Sequence, residues 1–456
     1  MNRSKMTDLV AWKNSGSRKP LIIRGARQVG KTWLMKEFGR LHYNQTVYIN
    51  FEKNKRFTQL FADDFNVQRV IIALQAESGM TIYPENTLII FDEIQAIPES
   101  ITALKYFYED SPEYHIVAAG SLLGMALHSG ISFPVGKVNF IDLHPLTYTE
   151  FLDAIGDKTL YEILLANDWQ LITAYKSQFI NRLKQYFFVG GMPEAVVRFS
   201  ANFSFSEVRE IQKQILDAYE QDFSKHPPVE IIPRIRMVWN SIPAQLAKEN
   251  RKFIYGLIKE GSRAKDYELT ISWLSDCGQV HKVTRVNKPG FPLKAYEDLS
   301  AFKMFFVDVG LLAAMVEIDA RTLLEGNALF TEFKGALTEQ YVFQQLNNSG
   351  KCVIHYWTAE RSTAEVDFIL QLGGEIIPLE VKSEENLQAK SLKTFKEKFN
   401  PGVAVRTSLS NYRQQEWMVN LPLYAIGKLV KSEDRIQNTE YRRQETEDRI
   451  QSAVGN

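Results

Sequence analysis

The chain has 456 residues, which at ~150 residues per domain predicts roughly three domains. Its 54 Lys and Arg balance 54 Asp and Glu, and 45% of residues are hydrophobic. This excludes wholesale disorder and a uniformly basic protein, so any nucleic-acid partner has to meet a local patch. Two distant cysteines, Cys277 and Cys352, build neither a disulfide framework nor a zinc cluster, and they fit a reducing compartment. The polar first twenty residues do not read as a signal peptide. Apolar runs elsewhere reach about eight residues, far below the ~20 that span a bilayer. The expectation is a cytoplasmic protein without a membrane partner.

Residues 1–155 alternate strand-like and helix-like segments. Leu21 to Ile23, Thr46 to Phe51, Thr87 to Phe91 and His115 to Ala119 are apolar runs, with helical periods such as Gln68 to Glu77 between them. Continuous apolar strands separated by helices predict a parallel sheet covered on both faces. Residues 156–230 read as helical. Apolar residues recur at helical spacing over Ile180 to Val189 and Phe205 to Phe223, around a Gly-Gly-Met-Pro turn at Gly190. Residues 231–325 predict short helices and then a strand pair, Gln279 to Val286 and Leu293 to Tyr296, which is the outline of a winged helix. The stretch 231–300 carries 12 Lys and Arg against 7 Asp and Glu. Arg263, Lys265, Lys282, Arg285 and Lys288 are candidate phosphate contacts there, or a solvated face. Residues 326–430 predict a second α/β unit, with a helix over Thr331 to Asn347 and strands near 353–357, 365–370, 376–381 and 402–407. The tail 431–456 holds 11 charged residues and repeats Glu-Asp-Arg-Ile-Gln fourteen residues apart, as an exposed helix or a disordered segment does.

Gly25-Ala26-Arg27-Gln28-Val29-Gly30-Lys31-Thr32 fits GxxxxGK[ST] in full, between an apolar strand and a helix. Glycines let backbone N–H groups converge on phosphate oxygens. Lys31 would meet the β- and γ-phosphates of ATP, Thr32 would ligate Mg²⁺, and Trp33 continues the nucleotide-binding segment. The helix that follows points its positive end at the anion. Leu88 to Phe91 is an apolar strand that runs into Asp92-Glu93. Asp92 would hold Mg²⁺ through its water shell and Glu93 would polarise the attacking water. Ser121, just past the His115 strand, is either a sensor of the γ-phosphate or the N-cap of the next helix.

Glu365-Val-Asp367 and Pro378-Leu-Glu380-Val-Lys382 form a second constellation. Residues i and i+2 of a strand face one side, so Glu380 and Lys382 point together beside Asp367, with Glu339 on the preceding helix as a fourth member. Carboxylates with a lysine bind Mg²⁺ and activate water for phosphodiester cleavage, and an ion-paired strand has the same composition. The set resembles the PD-(D/E)xK nuclease core.

Together these motifs resemble AAA-type ATPases of bacteria and archaea with a C-terminal domain of unknown function. The likeness rests on GARQVGKT at Gly25, IIFDEIQ at Ile89, AAGSLLG at Ala118 and LHPLTYTEFL at Leu143. It extends through GGMPEAV at Gly190, FKMFFVDVGLLAA at Phe302, GALTEQYV at Gly335, and the EVDFIL and PLEVKS segments. The resemblance implies an N-terminal ATPase domain, a winged-helix-like middle and a restriction-endonuclease-like C-terminal domain. The family's arginine before the PL-x-F segment is Lys137 here, which keeps the charge and loses the planar fork. The expected function is a Mg²⁺-dependent ATPase that couples nucleotide state to its C-terminal domains and acts on double-stranded DNA. The alternative is a nucleotide-switched regulator or adaptor with an inactive nuclease-like scaffold. A homo-oligomer or a protein partner is expected in either case.

Overall fold

The computed structural model describes residues 1–430 except 64, 121–132, 226, 249–251, 326–330, 360–363 and 386–388. Ser121 and the charged tail lie outside the described residues. The chain opens with α1 (Lys5–Lys13), which the polar N-terminal composition concealed; Leu9 and Trp12 seat it in the core. There follow β1 (Leu21–Arg24), α2 (Lys31–His42), β2 (Gln45–Asn50), α3 (Phe57–Asp63), α4 (Val67–Ser78), β3 (Thr87–Asp92), α5 (Glu99–Asp110), β4 (His115–Ala119) and β5 (Asn139–Asp142). The five strands form one parallel sheet in the order β2-β3-β4-β1-β5.

Every residue of β3 and β4 is buried, as a sheet covered on both faces requires. Alternation divides the strands between two cores. Ile23, Ile90 and Val117 pack with Leu34 and Phe38 of α2, while Ile22, Ile89 and Ile116 pack with Val70 and Leu74 of α4 and Leu104 of α5. The edge strand β5 was not expected, because its alternate residues, Phe140 among them, stay exposed and its pattern is short.

The middle is helical, as expected: α6 (Tyr148–Ala154), α7 (Lys158–Ala166), α8 (Trp169–Ala174), α9 (Lys176–Val189), α10 (Pro193–Asn202), α11 (Phe205–Asp222), α12 (Ile232–Leu246) and α13 (Ala264–Asp276). Side-chain caps start several of these helices. Thr147 and Glu150 make a reciprocal capping box on α6, and Ser204 caps α11.

The rest of the chain comprises β6 (Val280–Val286), β7 (Glu297–Phe306), α14 (Val309–Met315), α15 (Ala320–Glu325), α16 (Thr331–Asn347), β8 (Val353–Thr358), β9 (Glu365–Leu372), β10 (Glu375–Val381), α17 (Lys390–Phe399), β11 (Ala404–Ser408), β12 (Arg413–Gln414) and β13 (Met418–Pro422). Its eight strands form a mixed sheet ordered β12-β13-β11-β10-β9-β8-β6-β7.

One expectation about the hairpin needs correction. The return strand is not Leu293 to Tyr296, which is a 3₁₀ turn, but Glu297–Phe306. Leu293 is pulled inward, buried, with its N–H donating to Gln371 Oε1 at 2.8 Å. The longer segment Ala301 to Phe306, buried throughout, supplies the pairing surface instead. The hairpin also continues into the C-terminal sheet, because β6 pairs with β8.

A buried polar stripe on α16 ties the parts together. Gln340 exchanges two hydrogen bonds with the Phe306 backbone, at 2.8 and 2.7 Å. Gln344 Oε1 accepts from Val309 N at 2.9 Å, and its amide donates to Asp308 Oδ2 at 3.0 Å. Gln345 Oε1 accepts from Tyr148 N at 2.8 Å, and Asn348 donates to Pro145 O at 2.7 Å. Positions 340, 344, 345 and 348 share one helix face, so this face docks polar rather than apolar groups. Asp308 is the hub. Its carboxylate accepts from the backbone N–H of Gly191 (2.6 Å), Gly310 (2.9 Å) and Leu311 (3.0 Å) besides Gln344. Gly190 has to be glycine, since a Cβ there would lie 2.0 Å from Asp308 Oδ1.

Candidate functional site

After Arg24 the chain turns over the carboxyl end of β1 through residues 25–30 and enters α2 at Lys31. Gly25 has φ 144°, and a Cβ there would sit 2.1 Å from the Leu143 carbonyl oxygen, so glycine is mandatory. Gly30 precedes α2 in the left-handed region, at φ 94°.

Lys31 is buried and donates to the carbonyls of Gly25 and Ala26, both at 2.8 Å. Burial pushes its ammonium down to about 8, against the opposing pull of the Glu93 and Asp92 carboxylates. Among the described residues, the hydrogen-bond partners of Lys31 are these two neutral carbonyls, an arrangement suited to an anion.

The outside of the loop is gripped by other parts of the chain. Arg3 donates to Val29 O at 2.9 Å, and Tyr219 of α11 donates to Arg27 O at 2.9 Å. The Arg27 guanidinium stands 2.8 Å from the buried carboxylate of Asp222. Of the predicted nucleotide-binding stretch, the Val29 side chain is buried in the core and Trp33 is exposed on the first turn of α2.

At the end of β3, Asp92 Oδ2 accepts from Thr32 Oγ1 and from Tyr48 OH, each at 2.8 Å. The two motifs predicted from sequence therefore meet through a direct hydrogen bond. Glu93 follows in the left-handed region, with Gln95 Nε2 donating to its Oε2 at 2.6 Å. Thr32 and Asp92 have the chemistry suited to a hydrated Mg²⁺, and the Glu93 carboxylate follows directly in the chain. Tyr48 escaped sequence reading because β2 pairs with β3, and only that pairing brings its hydroxyl to Asp92. Burial, seconded by the bond to Asp92, raises the Tyr48 phenol to about 12, so it remains a donor.

A cleft of about 600 Å³ opens at the carboxyl ends of β4, β1 and β5, lined by Gly25, Ala26, Gly120 and Asp142 on one side and by Ser275, Asp276, Gly278 and His281 on the other. Sheets of this kind bind ligands past their strand ends, but Lys31, Thr32, Asp92 and Glu93 do not line this cleft. His144 and His281 face each other in its wall with ring centroids 5.9 Å apart, and burial lowers them to about 4 and about 3.

Lys137 does not reach this end of the sheet. It lies just ahead of β5, whose first residue pairs with the first residue of β1, and it binds Glu109 at 2.9 Å. It cannot touch phosphate on its own P-loop.

The C-terminal constellation is only partly assembled. Glu380 is buried and pairs with Lys382 at 2.7 Å. Asp367 Oδ2 accepts the Val381 N–H at 2.8 Å, which fixes it beside Glu380 on the neighbouring strand. Burial pushes the Glu380 carboxyl up, and the Lys382 hydrogen bond opposes this. Glu339 faces the buried Lys303 at 3.6 Å, and Lys303 also meets Glu365 at 2.5 Å. This buried lysine on β7 was not part of the sequence pattern. Among the described residues, no three His, Cys, Asp or Glu side chains are gathered to hold a metal ion. Of the basic candidates in the middle, Arg285 is committed to Asp298 and Lys282 lies 4.5 Å from the centroid of the Phe302 ring, while Lys288 is exposed.

A parallel sheet, a glycine-shaped loop with a buried lysine and a threonine bonded to the strand-end aspartate define a P-loop nucleotide-binding domain. Residues 17–152 match the family model described as AAA domain. Residues 180–322 match a domain of unknown function, DUF8612, and residues 334–426 match a second, DUF4143. No curated protein matches the chain. Among solved structures it is similar to the Walker-type ATPase paby2304 of Pyrococcus abyssi, with 14% identity, 69% of this chain and 95% of the other covered, and a TM-score of 0.43. It is also similar to the Orc1 protein of Aeropyrum pernix in complex with DNA, at 14% identity, 70% and 93% coverage and a TM-score of 0.28. A third is the RuvB Holliday junction branch migration motor of Thermotoga maritima, at 13% identity, 63% and 90% coverage and a TM-score of 0.27. Among the described residues, no helix is long and apolar enough to cross a membrane.

Proposed function

We propose that the protein is a Mg²⁺-dependent ATPase whose nucleotide state is read by its helical and C-terminal parts. The observation that carries this is the double attachment of the phosphate loop. Inside, Lys31, Thr32 and Asp92 form the receptor for a nucleotide and its cation. Outside, Arg3, Tyr219 and Asp222 hold the same six-residue loop to α1 and α11. Any rearrangement of the loop on binding is felt by α11, which packs on α14 and so on the Asp308 hub.

ATP would bind along residues 25–33, with Lys31 on its phosphates. Bound Mg²⁺ would supply charge neutralisation at the β- and γ-oxygens. Thr32 and Asp92 orient toward that cation, and Glu93 accepts a proton from water, with Gln95 holding its carboxylate. Lys31→Ala should abolish ATP binding, measured by titration of a fluorescent nucleotide. Glu93→Gln should bind ATP and slow turnover at least about 100-fold, the lower end of general-base contributions. Undiminished hydrolysis in both variants rejects the assignment.

The C-terminal order helix, three antiparallel strands, crossover helix, parallel strand agrees with the restriction-endonuclease-like reading. The paired Asp367, Glu380 and Lys382 support cleavage of double-stranded DNA. A second reading, the nucleotide-switched regulator with an inactive scaffold, is favoured by the buried Lys303 ammonium 3.6 Å from Glu339, a fixed charge that would compete with a metal ion for that carboxylate. In both, the middle helices and hairpin act as a winged-helix-like partner surface.

A further inference from the structure

We propose that Tyr48 is a positioning residue for the Mg²⁺ site, holding the Asp92 carboxylate in the orientation that receives the cation's water shell. This rests on the ATPase reading and adds to it a residue outside both motifs.

A carboxylate at a strand end rotates about its Cβ–Cγ bond, and a single hydrogen bond leaves it an arc of positions. Two donors from different directions fix its plane. Thr32 approaches Asp92 Oδ2 from the start of α2, and Tyr48 approaches the same oxygen from β2, both at 2.8 Å. Among the described residues, Oδ1 meets only the long Glu93 N–H contact, at 3.2 Å. One carboxylate oxygen is thus saturated by two hydroxyls, and the other keeps its accepting capacity for water.

The Tyr48 hydroxyl is itself held in place. Its ring is half-buried, and the Lys36 ammonium of α2 sits 3.8 Å from the ring centroid. Lys36 lies on the turn after Thr32, so the two donors to Asp92 are tied to each other as well. A hydroxyl used in this way is a partner behind the metal ligand, and loss of such partners weakens metal affinity by roughly 10–100-fold.

Tyr48→Phe removes the one oxygen and keeps the ring and the Lys36 contact. The measurement is binding of a fluorescent ATP analogue, first in EDTA and then with increasing Mg²⁺, for the wild type, Tyr48→Phe and Asp92→Asn. In EDTA, Tyr48→Phe should bind with wild-type affinity, which also reports an intact fold. The Mg²⁺ concentration for half-maximal tightening should rise about tenfold or more. A half-maximal Mg²⁺ concentration within twofold of wild type, while Asp92→Asn loses the tightening, overturns the role of Tyr48 and leaves the ATPase reading standing. Absence of nucleotide binding by the wild-type protein overturns both.

Discussion

Replacing Asp308 tests whether the polar hub, rather than the apolar core around it, holds the three parts of the chain together. Asp308→Ala strands four donors, the N–H groups of Gly191, Gly310 and Leu311 and the Gln344 amide, all at 2.6–3.0 Å in the present structure. A buried donor left without a partner costs about 1–3 kcal/mol. Four would give about 4 kcal/mol at the least, and the lost cap of α14 is already counted among them. One effect works in the opposite direction. Burial raises the Asp308 carboxyl, so removing it recovers part of the cost of desolvating a charge. The net expectation is a loss of about 3–4 kcal/mol, large beside the ~5–15 kcal/mol of a typical domain. Asp308→Asn keeps the shape but turns one acceptor into a donor aimed at another donor, and it should lose about half as much. Urea unfolding followed by tryptophan fluorescence measures both, with Trp239 buried beside β7 as the reporter. A change below about 1 kcal/mol in Asp308→Ala would refute the hub, because the donors would then have found water or other partners without cost.

Stability should also fall on acidification between about pH 6.5 and pH 4. His144 and His281 are held at about 4 and about 3 in the fold but titrate near ~6.5 when unfolded, so the unfolded chain binds more protons across that window. Above about pH 6.5 they contribute no slope. Thermal midpoints taken from pH 8 to pH 5 read this, and a His281→Gln variant that keeps the wild-type slope would contradict it. In the C-terminal part, Asp367→Ala should remove any Mg²⁺- or Mn²⁺-dependent cleavage of double-stranded DNA by the wild-type protein. Cleavage that persists in the variant would dissociate the activity from this pair, and a wild-type protein without cleavage would favour the regulator reading.

The Walker motifs were legible in the sequence because their spacing is local. A loop of six residues between a strand and a helix determines its own geometry, and Gly25, Gly30, Lys31 and Thr32 stand where that spacing requires. The apolar runs of β1 to β4 announced a covered parallel sheet for the same reason. Reading failed where a weak local pattern is completed by a distant partner. The edge strand β5 gains its identity from β1, and β7 from β6, while Leu293 to Tyr296 loses its strand to the bond between Leu293 and Gln371.

The sequence by itself determined the two motifs, a loop at residues 25–32 and a carboxylate pair at a strand end, since each is written in one short stretch of chain. Only the tertiary structure decided what stands behind them. It brought Tyr48 to Asp92 through strand pairing, and Tyr219 and Asp222 to the loop from nearly two hundred residues away. It set the buried Lys303 beside Glu339 and Glu365. These choices are competitions between buried polar groups for partners, and burial makes each partner costly to lose. Such a contest is settled by where the whole chain puts its donors and acceptors, which no short stretch of sequence contains.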